Sequence, residues 1–115
     1  MANSVHLAIR AALGLVMLWG ALAVSAAADK PATHTVVIEG LKFMPEALTV
    51  RRGDTVIWIN KDPYPHTATA AGVFDSRSLA EGQSWKYAAT EPGQHPYLCT
   101  FHPNMKGTLR VLPRE

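Results

Sequence analysis

The chain has 115 residues, 48% of them hydrophobic, with a formal net charge of +2 at pH 7 and a single cysteine, Cys99. That length holds one domain and little else. The near balance of charge leaves no basic stripe for nucleic acid and no acidic tail, and one cysteine excludes an intramolecular disulfide.

The first ten residues carry Arg10 and no acid; an apolar run from Ala11 to Val24 and the small-residue string Ser25-Ala26-Ala27-Ala28 follow. This order is that of a secretory signal, so residues 1–28 are expected to be a leader cleaved near Ala28 and residues 29–115 the exported domain. The location implied is periplasmic, or otherwise outside the cytoplasm, with no stable membrane association after cleavage. An uncleaved anchor fits less well. Even extended through Ala28, the apolar run reaches about 18 residues, the short end of the roughly 17–25 needed to span. A domain this small has a thin stability margin, and a lone cysteine in an exported chain implies intermolecular pairing or a special thiol. Binding to a metal is one answer.

From His34 onward the sequence reads as short strands punctuated by turn residues. His34 to Glu39 is rich in β-branched residues and stops at Gly40, and Ala47 to Val50 lies between Pro45 and Gly53-Asp54. Thr55 to Asn60 alternates, with Val56, Trp58 and Asn60 on one side and Thr55, Ile57 and Ile59 on the other. Apolar groups on both sides predict a central strand covered on each face. Asp62-Pro63-Tyr64-Pro65 cannot continue a sheet strand, since proline lacks the donor and fixes the backbone. Thr67 to Ala70, Gln83 to Ala89, Gln94 to Cys99 and Thr108 to Leu112 complete the set. Ser76 to Gly82 has room for one helical turn at most. Seven or eight short strands and no helical period predict an all-β Greek-key sandwich.

The run Cys99-Thr100-Phe101-His102-Pro103-Asn104-Met105 places a thiolate, an imidazole and a thioether at intervals of three in one short loop. With His66, held behind Pro63-Tyr64-Pro65, these are the ligand types of mononuclear electron-transfer copper sites. Soft sulfur favours Cu(I), while imidazole suits both oxidation states. Pro103 biases His102 away from helical angles and stiffens the loop. Taken singly, each residue has a plainer role: a buried cysteine, a structural histidine, a methionine filling a core. Their joint occurrence on one stiffened loop of an exported β-domain favours the metal.

His34 starts the domain and is expected to be exposed or structural. His95 shares a strand face with Tyr97 and Cys99, but four residues of strand span about 13 Å, far beyond a bond of roughly 2 Å to the same ion. A core or corner role is expected for it. Zinc competes for Cys99 and two histidines, yet methionine is a poor fourth ligand for zinc. A cysteine nucleophile with a histidine base is conceivable, but leaves Met105 and the second histidine without a task.

These residues give the chain a close resemblance to the cupredoxins, the small blue copper proteins. Cys99, His102 and Met105, as Cys-x-x-His-x-x-Met, have the short spacing of the amicyanin-like branch; plastocyanin and pseudoazurin relatives have a longer one. Phe43, Pro45, Val50, Gly53, Val56, Trp58 and Asn60 follow the family's strand pattern, and Pro65-His66-Thr67 its first ligand segment. The resemblance implies copper ligation by His66, Cys99, His102 and Met105, with Met105 the weak axial ligand. Two positions depart from the pattern: His95 stands where relatives commonly carry an aromatic residue, and Thr67 where many amicyanins carry Asn. At Thr67 a backbone donor to the Cys99 sulfur and a hydroxyl link to Thr100 both remain open.

The function expected is that of a monomeric one-electron carrier bearing one type 1 copper, meeting transient redox partners and passing electrons through the exposed edge of His102. Copper trafficking on the same fold is the alternative. Only four methionines occur in the full chain, two of them (Met1 and Met17) in the leader, so the Met cluster it would favour is missing. An enzyme would need a second copper or an open substrate position, and no spare histidine cluster provides one.

Overall fold

A computed structural model describes residues 30–115 and Gly14. The predicted leader and its cleavage point lie outside the described residues. The described chain forms nine strands: β1 Thr33–Glu39, β2 Lys42–Met44, β3 Ala47–Arg51, β4 Thr55–Asn60, β5 Thr69–Ala70, β6 Phe74–Asp75, β7 Ser84–Ala88, β8 Gly93–Cys99 and β9 His102–Leu112. They make two sheets, in the orders β2-β1-β4-β7 and β3-β9-β8-β5-β6. Both are mixed, because β1 runs parallel to β4 and β3 parallel to β9. The chain passes repeatedly from one sheet to the other, as a Greek-key sandwich requires.

β4 shows how the alternation in the sequence becomes a core. Val56, Trp58 and Asn60 are buried, whereas Thr55, Ile57 and Ile59 on the other face are half-buried. The strand is central in its sheet, as expected, but its outer face is covered only in part. Trp58 packs against Phe74, Trp85, Tyr87 and Tyr97 at ring-centroid distances of 5.2, 5.8, 6.5 and 5.5 Å. Tyr97 in turn meets Phe43 edge-on at 4.7 Å. This aromatic column joins the two sheets, and its burial pushes the Tyr97 phenol up to about 12.

Two details differ from the expectations, the unanticipated short strands and the start of the last one. β2 and β6, three and two residues long, were not anticipated; strands so short show no alternation to read. Ser76 to Gly82 holds no helix, within the limit of one turn set for it, and Leu79 pairs with His66 through backbone hydrogen bonds of 2.8 and 3.1 Å. The last strand begins at His102, not Thr108. Thr100 and Phe101 make the turn, Cys99 pairs with His102, and the register then slips so that Leu98 faces Lys106. Residues 103–105 are the bulged-out surplus of that slip, a device that re-aims side chains.

Tyr97 and Gly107 are cross-strand partners, and a Cβ on Gly107 would overlap the Tyr97 ring. Gly107→Ala should therefore destabilise by about 1–3 kcal/mol, the range for overpacking a filled interior. Urea unfolding measures this, and an unchanged midpoint would mean that the ring yields freely.

At one end of the sandwich Asp54 is a buried hub. Its carboxylate accepts from the amides of Ala32 and Arg51 at 2.9 and 3.0 Å, from His34 Nε2 at 2.9 Å and from Arg114 Nη2 at 2.6 Å. His34 is thus structural, as expected. Burial alone would push the Asp54 carboxyl up, but the Ala32 amide, the His34 ring, the Arg51 amide and the Arg114 guanidinium outweigh it and hold the carboxyl well below its usual range. The unfolded chain therefore binds the proton first as pH falls. Stability from this group is complete above the unfolded value of about 4 and drains away below it. Between neutral pH and about pH 3 the protein should lose more urea resistance than its Asp54→Asn variant does. Equal losses would remove Asp54 as the source.

Candidate metal centre

His66 and Cys99 are far apart in sequence, and the sheet brings them together. β5 runs antiparallel to β8 with Thr69 opposite Leu98, so the chain entering β5 lies beside the end of β8. His66 stands three residues before that pair and Cys99 one residue after it. The turn at Thr100-Phe101 then returns His102 directly opposite Cys99. Three donors from two loops meet at one end of the sandwich.

Cys99 Sγ lies 3.6 Å from His66 Nδ1 and 3.8 Å from His102 Nδ1, and the donor atoms all fall within 4.8 Å of one another. Bonds of about 2.0–2.1 Å to nitrogen and 2.3 Å to sulfur, meeting at trigonal to tetrahedral angles, place nitrogen and sulfur roughly 3.5–3.8 Å apart. Both sulfur-to-nitrogen separations match those of ligands sharing one ion. Cys99 and His66 are fully buried, and His102 is half-buried. No Asp or Glu belongs to the cluster among the described residues. Two imidazoles and one thiolate suit copper.

Met105 is buried and belongs to the hydrophobic core cluster, in the bulge that follows His102. His95 has its Nε2 2.7 Å from the Glu91 carbonyl oxygen, across the turn before β8. It is a corner residue, as its distance along the strand implies.

Hydrogen bonds around the donors are dense. The Thr67 amide donates to Cys99 Sγ at 3.4 Å. The Thr67 hydroxyl accepts from the Thr100 amide at 2.9 Å and from the Thr69 hydroxyl at 3.0 Å, and lies 3.1 Å from Thr100 Oγ1. One hydroxyl thus ties the two ligand loops together, and both links left open to Thr67 are present.

Two residues of the site were missed. Asn60 closes the segment before His66: its Nδ2 donates to the carbonyls of Tyr64 and Leu79 at 2.7 and 2.8 Å, and its Oδ1 accepts from the Asp62 amide at 2.9 Å. Asp62 Oδ2 lies 2.8 Å from His66 Nε2. Burial opposes the Asp62 charge, but the amides of Leu41 and Gly40 and the His66 ring outweigh it, leaving the carboxyl below its usual range. The available signal was a carboxylate four residues before the histidine, which sequence reading took for part of a proline turn.

Comparison with known proteins agrees with this geometry. The model of the cupredoxin-like domain matches residues 11–111. Amicyanin of Paracoccus versutus is 36% identical over 93 residues, covering 75% of this chain and 70% of the relative. A Cu(I) structure of an amicyanin mutant superposes with a TM-score of 0.64 at 33% identity, over 69% of this chain and 81% of that one. A copper-containing nitrite reductase from Thermus scotoductus SA-01 superposes at 0.66 with 31% identity, but this chain covers only 23% of it. The two-sheet fold, the short Cys99-to-Met105 spacing, the converging donors and these likenesses agree: the chain belongs to the cupredoxins and is amicyanin-like.

Proposed function

We propose that the chain is an exported one-electron carrier holding one type 1 copper on His66, Cys99, His102 and Met105. The observation that carries this reading is Cys99 Sγ lying 3.6 Å from His66 Nδ1 and 3.8 Å from His102 Nδ1 at one end of the sandwich. Copper bound there supplies a one-electron change between Cu(I) and Cu(II). The protein's part is to keep the donors where both states accept them, which limits rearrangement on electron transfer. Met105, following His102 at the interval of the ligand motif, would offer the ion a thioether.

His102 is the half-buried member of the trio, and its edge is the exit for the electron. Phe101 beside it is exposed, as are Tyr64, two residues before His66, and Leu41 and Met44. Such exposed apolar groups suit brief encounters through interfaces below about 1,200 Å². The domain acts as a monomer outside the cytoplasm, its leader removed near Ala28. The relatives named amicyanin support a carrier over an enzyme. The nitrite reductase likeness spans too little of that protein to transfer its activity.

Addition of Cu(II) to the metal-free protein tests the site. An intense blue band with narrow copper hyperfine splitting is expected; a colourless protein or an ordinary tetragonal signal would overturn it. For the exit, His102→Ala supplied with external imidazole should regain its colour but lose electron self-exchange by about ten-fold or more, a loss of roughly 1.4 kcal/mol in the barrier. Self-exchange at the original rate would place the exit elsewhere. Fast self-exchange with slow release of Cu(I) to an acceptor separates a carrier from a trafficking protein.

A further inference from the structure

The turn between β1 and β2 breaks a local rule. Gly40 and Leu41 both have left-handed backbone angles, φ of 62° and 59°, as a two-residue type I′ hairpin requires. Glycine adopts that conformation freely, whereas leucine does so only under constraint. A strained residue at a tight turn calls for something that holds it there. The Gly40 amide donates to Asp62 Oδ1 at 2.7 Å and the Leu41 amide to Oδ2 at 3.0 Å. The same Oδ2 lies 2.8 Å from His66 Nε2. The Gly40-Leu41 turn lies more than twenty residues from Asp62 in sequence, and one carboxylate joins it to His66.

Hydrogen-bond accounting gives this junction a direction. A carboxylate already accepting from two amides is an acceptor toward the imidazole as well. His66 Nε2 must then carry the proton, which leaves the Nδ1 lone pair free on the side facing Cys99 Sγ. The imidazole is fully buried, so no water competes for either nitrogen. The carboxylate also places a negative charge against the far side of the ring, making the donor nitrogen more basic.

We propose that Asp62 is a positioning residue for the metal centre: clamped by the Gly40-Leu41 turn, it fixes the His66 tautomer and biases the site toward the more highly charged metal state. The second half rests on the copper reading above; the first does not. Of the two copper states, Cu(II) gains more from an electron-rich imidazole, so Asp62 lowers the reduction potential. The β1–β2 turn thereby becomes part of the site, although it contributes no ligand.

Long-range proton–nitrogen NMR of the metal-free protein, well above the imidazole titration range, reads the tautomer with no metal and no substitution. The expected result is a proton on His66 Nε2 and a bare Nδ1; a proton on Nδ1 would overturn the proposal. In Asp62→Asn the amide nitrogen or oxygen can face the ring, and the tautomer should become mixed. Cu(II) affinity should fall about 10- to 100-fold, with Cu(I) affinity falling less. Each ten-fold difference between the two raises the midpoint potential by about 59 mV. A variant with the original tautomer and an unmoved potential would reduce Asp62 to a clasp for the turn and sink the idea. Should Asn prevent folding, the tautomer of the unsubstituted protein still decides. A protein that shows no blue site yet holds the proton on Nε2 would refute the copper reading alone.

Discussion

Cys99→Ser should take up Cu(II) without any intense blue colour, its visible absorption falling to a weak background and its EPR spectrum widening to a tetragonal pattern. The blue band of such sites arises from a short thiolate bond to copper, and a serine hydroxyl is a hard, protonated donor that cannot replace it. The two imidazoles remain, so some Cu(II) binding should persist. Cys99 Sγ also accepts the Thr67 amide, a contact an oxygen at the same place can keep. The fold should therefore survive, with a loss of about 1–3 kcal/mol for a buried hydroxyl less well satisfied than the thiol it replaces. A blue band retained in this variant would remove Cys99 from the site altogether.

Trp58→Ala should cost about 3–5 kcal/mol, the range for deleting a buried large aromatic side chain. Trp58 is fully buried at the middle of β4, between β1 and β7. Its ring touches four other aromatic rings drawn from both sheets. Those neighbours sit on strands locked by their own ladders, so they cannot collapse into the vacated volume, and the cavity cost adds to the lost burial. For a domain of 60–100 residues each kcal/mol lowers the melting temperature by about 4–8 °C, so a fall of at least roughly 12 °C is expected. Circular dichroism of the metal-free protein on heating measures it without interference from copper. A melting curve unchanged within error would contradict the inward placement of this face of β4.

The two outcomes separate the site from the scaffold: one variant loses colour and keeps its fold, the other strains the fold while leaving every donor in place. Their independence follows from distance in the structure's logic. Cys99 ends β8 at the loop end of the sandwich, while Trp58 belongs to the aromatic column between the sheets.

Much of the protein was legible before any coordinates. β4 was read residue for residue, because a six-residue apolar run rich in β-branched side chains and bounded by turn residues is the pattern of a covered strand. The donors Cys99 and His102 were legible because they are local in sequence, and His66 because it follows a proline-held turn; a thiolate with two imidazoles is too specialised for most other tasks. The two contacts left open to Thr67, an amide donor to the Cys99 sulfur and a hydroxyl link to Thr100, both exist. His95 was set aside by strand length alone.

What only the tertiary structure decided depends on partners distant in sequence. Asp62 meets Gly40 and Leu41 across 22 and 21 residues, and Asp54 meets Arg114 across 60. No local period marks a carboxylate that will be buried and surrounded by amides from another strand; read alone, Asp54 and Asp62 are ordinary turn residues. The early start of β9 is of the same kind. Pairing with β8 extended the strand to His102, where proline and the ligand spacing had argued for a loop. Local chemistry and hydrophobic period thus determined the fold class, the central strand and the donor set. Long-range hydrogen bonding decided which nitrogen of His66 faces Cys99, because the group that holds its other nitrogen is itself held by a turn more than twenty residues away.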